Sequence, residues 1–234
     1  MWNILLMPDW SVSDVVIDEN DAYQITATYD LAPKACKRCG NPGSLSKRGG
    51  RTKKFVDAPV HGRLTFIHVH LTKYTCRECD ASFMQPLRGM HHVHRMTERL
   101  VNYIEKQSLL KPIAHVTEDT GVPEKTVGDI SKAYHAQLSE KHARDLRAPR
   151  HIGLDELKLR NQFRAIFINL DDSWPFEMLP NRSMASVRNF LMRLPNRSEV
   201  ETVTMDMRWQ YRTAVKKAMP QAAVIADRWH MVDK

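Results

Sequence analysis

Cys36-Lys37-Arg38-Cys39 and Cys76-Arg77-Glu78-Cys79 hold every cysteine of this 234-residue chain. They form two C-x-x-C hooks with 36 residues between them. Each hook bends the backbone so that two sulfurs reach one metal ion, and two hooks complete the four ligands of a tetrahedral zinc site. Gly40, directly after the first hook, is the small residue such a turn favours. The alternatives are four reduced thiols, or two disulfides in an exported protein. Met1 to Met7 lacks the basic start of an export signal. The spacing therefore predicts a structural Zn2+ on Cys36, Cys39, Cys76 and Cys79. A closed site of this kind is scaffold, and small ribbons built on it usually hold nucleic acid or another protein.

Working outward, the composition is that of a folded, soluble protein, with 42% hydrophobic and 26% charged residues. No run of eighteen apolar residues occurs, so no membrane span is expected, and the compartment expected is the cytoplasm. The net charge of +8 is unevenly spread. Residues 1–33 carry six acids and no Lys or Arg, whereas residues 34–150 carry 22 Lys and Arg against 11 Asp and Glu. A basic block around a zinc ribbon points to nucleic acid, because each neutralised phosphate releases condensed counterions. A generically basic surface is the alternative.

Three regions follow from periodicity. Residues 1–90 read as an N-terminal hairpin plus the ribbon. Tyr23, Ile25, Ala27 and Tyr29 alternate with polar residues, Val12–Ile17 is the partner strand, and Gly62–Thr75 is a long strand between the hooks. Lys47 to Lys54 (KRGGRTKK) reads as a flexible loop, with Lys53 and Lys54 as candidate phosphate contacts or merely solvated charges. His91, His92 and His94 read as exposed imidazoles between domains.

Residues 91–148 read as helices. Met96, Leu100, Tyr103 and Ile104 make one apolar stripe; Pro112 opens a second helix that Gly121 stops; Pro123 opens a third, with Val127, Ile130 and Tyr134 inward. The last two fit a DNA-reading helix-turn-helix, a plain bundle being the alternative. Its outward face would include Lys125, Thr126, Ser131 and Lys132, taken as DNA-binding residues.

Residues 149–234 change to mixed strands and helices in the order β-β-β-α-β-α-β, the order of a ribonuclease-H-like sheet. In such a sheet the first and fourth strands are neighbours, so their terminal acids Asp155 and Asp206 would meet. Two adjacent carboxylates repel unless a cation joins them, and hard oxygen ligands suit Mg2+ or Mn2+. Acids that merely cap strand ends are the alternative. Glu156, next in sequence, is expected on the opposite face. Asp227 and His230 form a D-x-x-H pair that orients the site or holds the chain end. The fold class expected is thus α+β and multidomain.

These residues together resemble DDE-type transposases of bacterial insertion sequences, specifically the ISL-three family. The resemblance is carried by both hooks, the helix-turn-helix, Ile152-Gly-Leu-Asp-Glu156, Thr204-Met-Asp-Met207, Tyr211, and Val224-Ile-Ala-Asp-Arg-Trp-His-Met-Val232, where Trp229 replaces the family's Phe. It implies that Asp155 and Asp206 are the first two acids of a catalytic triad, with Asp227 and His230 as supporting D-x-x-H residues. It implies metal-dependent DNA strand cleavage and transfer, double-stranded terminal repeats as partner, homo-oligomerisation and association with the bacterial nucleoid. The family's third acid is a Glu on a later helix of a longer chain, yet no Glu follows Glu201 here. The expectation is a C-terminally truncated form. Either it retains the transposase's role, or it is an inactive DNA-binding regulator or inhibitor derived from one.

Overall fold

The computed structural model describes residues 4–206 and 208–227 and divides into two compact units, 1–138 and 139–234. No described helix is long and apolar enough to cross a membrane.

The first unit is built on a sheet of β1 (Trp10–Ile17), β2 (Tyr23–Tyr29), β3 (Leu45–Val60), β4 (Arg63–Cys76) and β5 (Ser82–Met84). The order is β1-β2-β4-β3, with β5 also paired to β4. The β1–β2 hairpin closes through Asp18, whose Oδ1 accepts the N–H groups of Asn20 and Ala22 at 2.9 and 3.0 Å. His61 and Gly62, both at positive φ, make the two-residue turn between β3 and β4. Such a turn matches the right-handed twist of the flanking strands. Leu5, Trp10, Ile25, Phe55, Ile67 and Val69 fill the core on one face.

The Lys47–Lys54 stretch is not the loop expected from its charge. It lies within β3, paired to β4 on both sides of a register shift between Lys47 and Gly50. Charge and glycine content mask strand propensity there, because one edge of a long hairpin can be wholly solvated while its backbone is held by the ladder. Gly49 (φ +74°) forms a bulge, so that Arg48 and Gly49 together oppose one β4 residue, Lys73.

Three helices complete the unit: α1 (Glu98–Gln107), α2 (Ile113–Thr120) and α3 (Glu124–Asp145), the last running past residue 138. Thr97 caps α1 by accepting the N–H of Leu100, and Gly121 ends α2 in the left-handed conformation. Leu100, Ile104, Val116, Val127 and Ile130 form their core, against Val56 and Ala58 of β3. Asp57 joins the two layers. Its buried carboxylate accepts from Thr97 Oγ1 at 2.6 Å and from Arg99 through two nitrogens, while Arg99 also donates to the carbonyl of Leu5.

Ser131 needs correction: it is 6% exposed and belongs to the inward face of α3 with Val127 and Ile130. The stripe is wider than the sequence suggested, because a residue at i+4 from Val127 shares its face. Lys125 and Lys132 are exposed and Thr126 is half-buried.

The second unit is a five-stranded sheet of β6 (His151–Leu159), β7 (Gln162–Asn169), β8 (Trp174–Met178), β9 (Thr202–Met205) and β10 (Ala223–Ala226). Its order is β10-β9-β6-β7-β8. β6, β7 and β8 pair antiparallel, while β9 and β10 run parallel to β6. Helices α4 (Met184–Arg193) and α5 (Trp209–Ala218) bury Val187, Leu191, Tyr211 and Val215 against Ile152, Leu154, Phe167 and Val203.

Candidate metal centre and carboxylate site

The two hooks are shaped by backbone bonds. Gly40 N–H donates to Cys36 C=O at 2.9 Å, and Cys76 N–H donates to Ala81 C=O at 2.9 Å. Gly40 and Asp80, each following its hook, both adopt positive φ. The four cysteines are unbridged. Their sulfurs lie within 4.8 Å of one another, with Cys36–Cys79 and Cys39–Cys76 both at 3.7 Å. A tetrahedron of Zn–S bonds of about 2.3 Å has edges of about 3.8 Å, so the cluster has the dimensions of a zinc site. The electrostatics agree. Backbone N–H groups of Cys39 and then Arg38 pull the Cys36 thiol down to about 6. Against the pull of the Ala81 N–H, burial and the neighbouring sulfurs push Cys79 up to about 12. Four clustered sulfurs cannot all ionise without a cation among them.

Among the described residues this is the one cluster of three or more metal-ligand side chains. His91 stacks between His92 and His94, at ring-centroid distances of 4.6 and 4.9 Å. Burial and then those two rings lower its pKa.

In the second unit, the parallel register pairs Gly153 with Thr204 and Leu154 with Met205. Asp155 and Asp206 follow directly after this last pair, Asp155 within β6 and Asp206 just past the end of β9. Asp155 is exposed and its Oδ1 accepts the Glu156 N–H at 2.7 Å. Asp206 is one-quarter exposed, and its Oδ2 lies 3.6 Å from Arg208 Nε. β10 adds Asp227, whose N–H donates to Met205 C=O at 2.9 Å, so β9 and β10 each end beside an aspartate. Asp155 is not the terminal acid expected from the sequence but lies mid-strand, because pairing with β7 carries β6 on to Leu159. His230 lies outside the described residues.

Glu156 points the other way, toward α5, as strand alternation requires. Its side chain is only 10% exposed. It accepts from Tyr211 Oη at 2.8 Å and pairs with Arg182 and with Arg208 Nη1, the latter at 3.1 Å. Burial, then the Glu156 bond, raises the Tyr211 pKa. Arg208 thus bridges Glu156 and Asp206 across the end of the sheet. Sequence reasoning placed Glu156 on the correct face but did not find Arg182 or Arg208. Those residues lie 26 and 52 positions away, and no spacing rule links them.

Comparison with known proteins follows this division. Residues 32–79 match a family described as the zinc-finger of transposase IS204/IS1001/IS1096/IS1165, and residues 152–234 match one described as a transposase. The transposase for insertion sequence element IS1001 of Bordetella parapertussis is 22% identical over 218 residues, covering 89% of this chain and 53% of the relative. The chain therefore spans about half the length of that curated relative. Ribbon and transposase segments on this one polypeptide are thus each similar to those of ISL-three insertion-sequence transposases.

Proposed function

We propose that this chain binds the double-stranded DNA ends of an insertion sequence, and that its second unit carries two acids of a metal-dependent strand cleavage and transfer site. The observation that supports the catalytic part is the β6–β9 register, which pairs Leu154 with Met205, the residues just before Asp155 and Asp206. A sheet of three antiparallel strands followed by two parallel ones, with its first and fourth strands adjacent, supports a ribonuclease-H-like reading. α2 and α3, joined through Gly121-Val122-Pro123, support the helix-turn-helix reading, with Lys125, Thr126 and Lys132 available to DNA. Lys53 and Lys54 sit on opposite faces of β3; Lys54 stands 3.6 Å over the Phe66 ring.

The donor set fits a hard divalent ion. Asp155 and Asp206 supply carboxylate oxygens, and Mg2+ or Mn2+ keeps water in its remaining positions. Bound there, the ion would polarise a phosphodiester and lower the pKa of an attacking water or hydroxyl. The chain's own part is to hold the carboxylates. The Glu156 N–H fixes Asp155, and Arg208 offsets the charge of Asp206 while anchored by Glu156.

A second reading, a DNA-binding regulator derived from a transposase, is favoured by Arg208, which lies 3.6 Å from Asp206 and competes with a cation for its charge. Both readings require duplex binding. They are separated by incubating the zinc-loaded chain with Mn2+ and a duplex carrying the element's terminal repeats. Cleavage abolished by Asp155→Ala supports the enzyme; binding without cleavage supports the regulator. Failure to bind duplex DNA at all would reject both.

A further inference from the structure

The β3 bulge has a consequence for the surface beside it. Residues three apart on a regular strand face opposite sides of the sheet. Arg48 and Arg51 would do so, but Gly49 supplies the extra residue that puts Arg48 opposite Lys73. Arg51 opposes Leu71, which shares a face of β4 with Lys73. All three cations therefore line one recess, of about 340 Å3, walled by Ser82, Phe83 and Met84 of β5.

The sequence is committed to this shape. Gly49 sits at φ +74°, where other residues are strained. A Cβ on Gly50 would meet the carbonyl oxygen of Leu71 at 2.5 Å. Among the described residues, no carboxylate forms an ion pair with Arg48, Arg51 or Lys73. The same face continues to Lys53, whose pKa is lowered first by burial and then by the like charges of Arg51 and Arg95. Cations held together against mutual repulsion, with no internal acid, are arranged for an external polyanion.

We propose that the recess formed by Arg48, Arg51 and Lys73 grips the phosphodiester backbone of duplex DNA and sets the position of the ribbon on it without reading its sequence. Arg48 and Arg51 are fork donors suited to phosphate oxygens, and Lys73 acts as a point charge between them. Met84, which opposes Lys73 across the β4–β5 pair, gives an apolar wall against which a deoxyribose can lie. Contacts to phosphate oxygens fix the register on the duplex and carry no sequence information, so a grip on the backbone is positional.

The inference rests on the DNA-binding reading above, and the experiment separates the two. Fluorescence anisotropy of the zinc-loaded full chain is measured over a salt series with two labelled duplexes of unrelated sequence. Wild type is compared with Arg48→Ala/Arg51→Ala/Lys73→Ala, with each single substitution, and with the charge-retaining Arg48→Lys/Arg51→Lys. The triple variant should lower the magnitude of the log-affinity against log-salt slope by about 2 to 3, each single variant by about 1, and equally for both duplexes. The lysine variant should keep the wild-type slope. Zinc content and circular dichroism certify the fold, and the single variants decide the matter if the triple loses zinc. If wild type binds and the single and triple variants keep its slope, the recess is not the contact, while DNA binding stands. If the loss differs between duplexes, the positional role is overturned. If wild type binds neither duplex, the DNA-binding reading falls, and this one with it.

Discussion

Asp57 carries a heavy load for a single residue. Its carboxylate is fully buried, and its partners are the α1 cap Thr97, the Ala58 N–H and the Arg99 guanidinium. Removing one member of a buried ion pair costs about 3–5 kcal/mol, mostly because the other charge is left unpaired. The Arg99 side chain is 35% exposed and can recover some hydration, which favours the lower end of that range. Asp57→Ala should therefore destabilise the first unit by roughly 3 kcal/mol, read as a lower urea midpoint of the zinc-loaded chain. Asp57→Ala/Arg99→Met should recover part of the loss. A double variant no more stable than the single one would show that packing, not charge, makes this joint. Asp18 allows a pH test at the same scale. The Ala22 N–H and then Gln24 lower its pKa below 3.8. A depressed carboxylate gives stability that is present above the unfolded value and lost as pH falls through the folded one. NMR titration should place the Asp18 midpoint below 3.8, and Gln24→Ala should raise it.

At the scale of elements, the hooks and the β3 bulge differ in how readily a sequence discloses them. The hooks were legible because zinc coordination imposes a spacing that few other constraints produce. The β6–β9 pairing was legible through the order of its elements, though only as a topology. The bulge was not, since KRGGRTKK carries no apolar alternation and its Gly-Gly pair signals a loop. Its pairing depends on β4, whose Val69 and Leu71 supply the apolar face. Ser131 was misplaced for a related reason: a small polar residue is compatible with either face of a helix, and only packing decides. Two predictions belong here. Chelation should remove one zinc per chain and unfold the ribbon, because apparent zinc binding of about 10–16 kcal/mol is folding free energy in such domains. Zinc analysis with circular dichroism before and after chelation reads it; an unchanged ribbon signal would make the metal incidental. Gly50→Ala should cost about 1–3 kcal/mol, since its Cβ meets backbone rather than a movable side chain. Thermal denaturation measures that cost, and no change would mean the strands separate freely.

At the scale of the whole molecule, DNA binding and catalysis place different demands on the two units. Binding needs a folded ribbon, exposed cations and a helix to present to the duplex, all within residues 1–138. Lys125→Ala and Lys132→Ala on α3 should each flatten the salt dependence by about one counterion where the side chain meets phosphate. Catalysis needs carboxylates that hold metal while a phosphodiester is displaced. Asp155 and Asp206, with water, make a shallow site for Mg2+, which gives up its water reluctantly. Arg208 beside Asp206 further weakens the pull on a cation, and Glu156 keeps that arginine in place. A second ion, needed to stabilise the leaving oxygen, requires a further carboxylate beyond this pair. These 234 residues alone should therefore bind Mn2+ weakly, bind duplex DNA, and leave its strands uncut. Mn2+ binding, followed by electron paramagnetic resonance, should fall in Asp155→Ala and in Asp206→Ala while zinc content stays constant. Equal Mn2+ binding by wild type and both variants would detach the pair from metal chemistry. Robust cleavage by the wild-type chain that vanishes in Asp155→Ala would show that another carboxylate, such as Asp227 on the adjoining strand end or one from a second copy of the chain, completes the site.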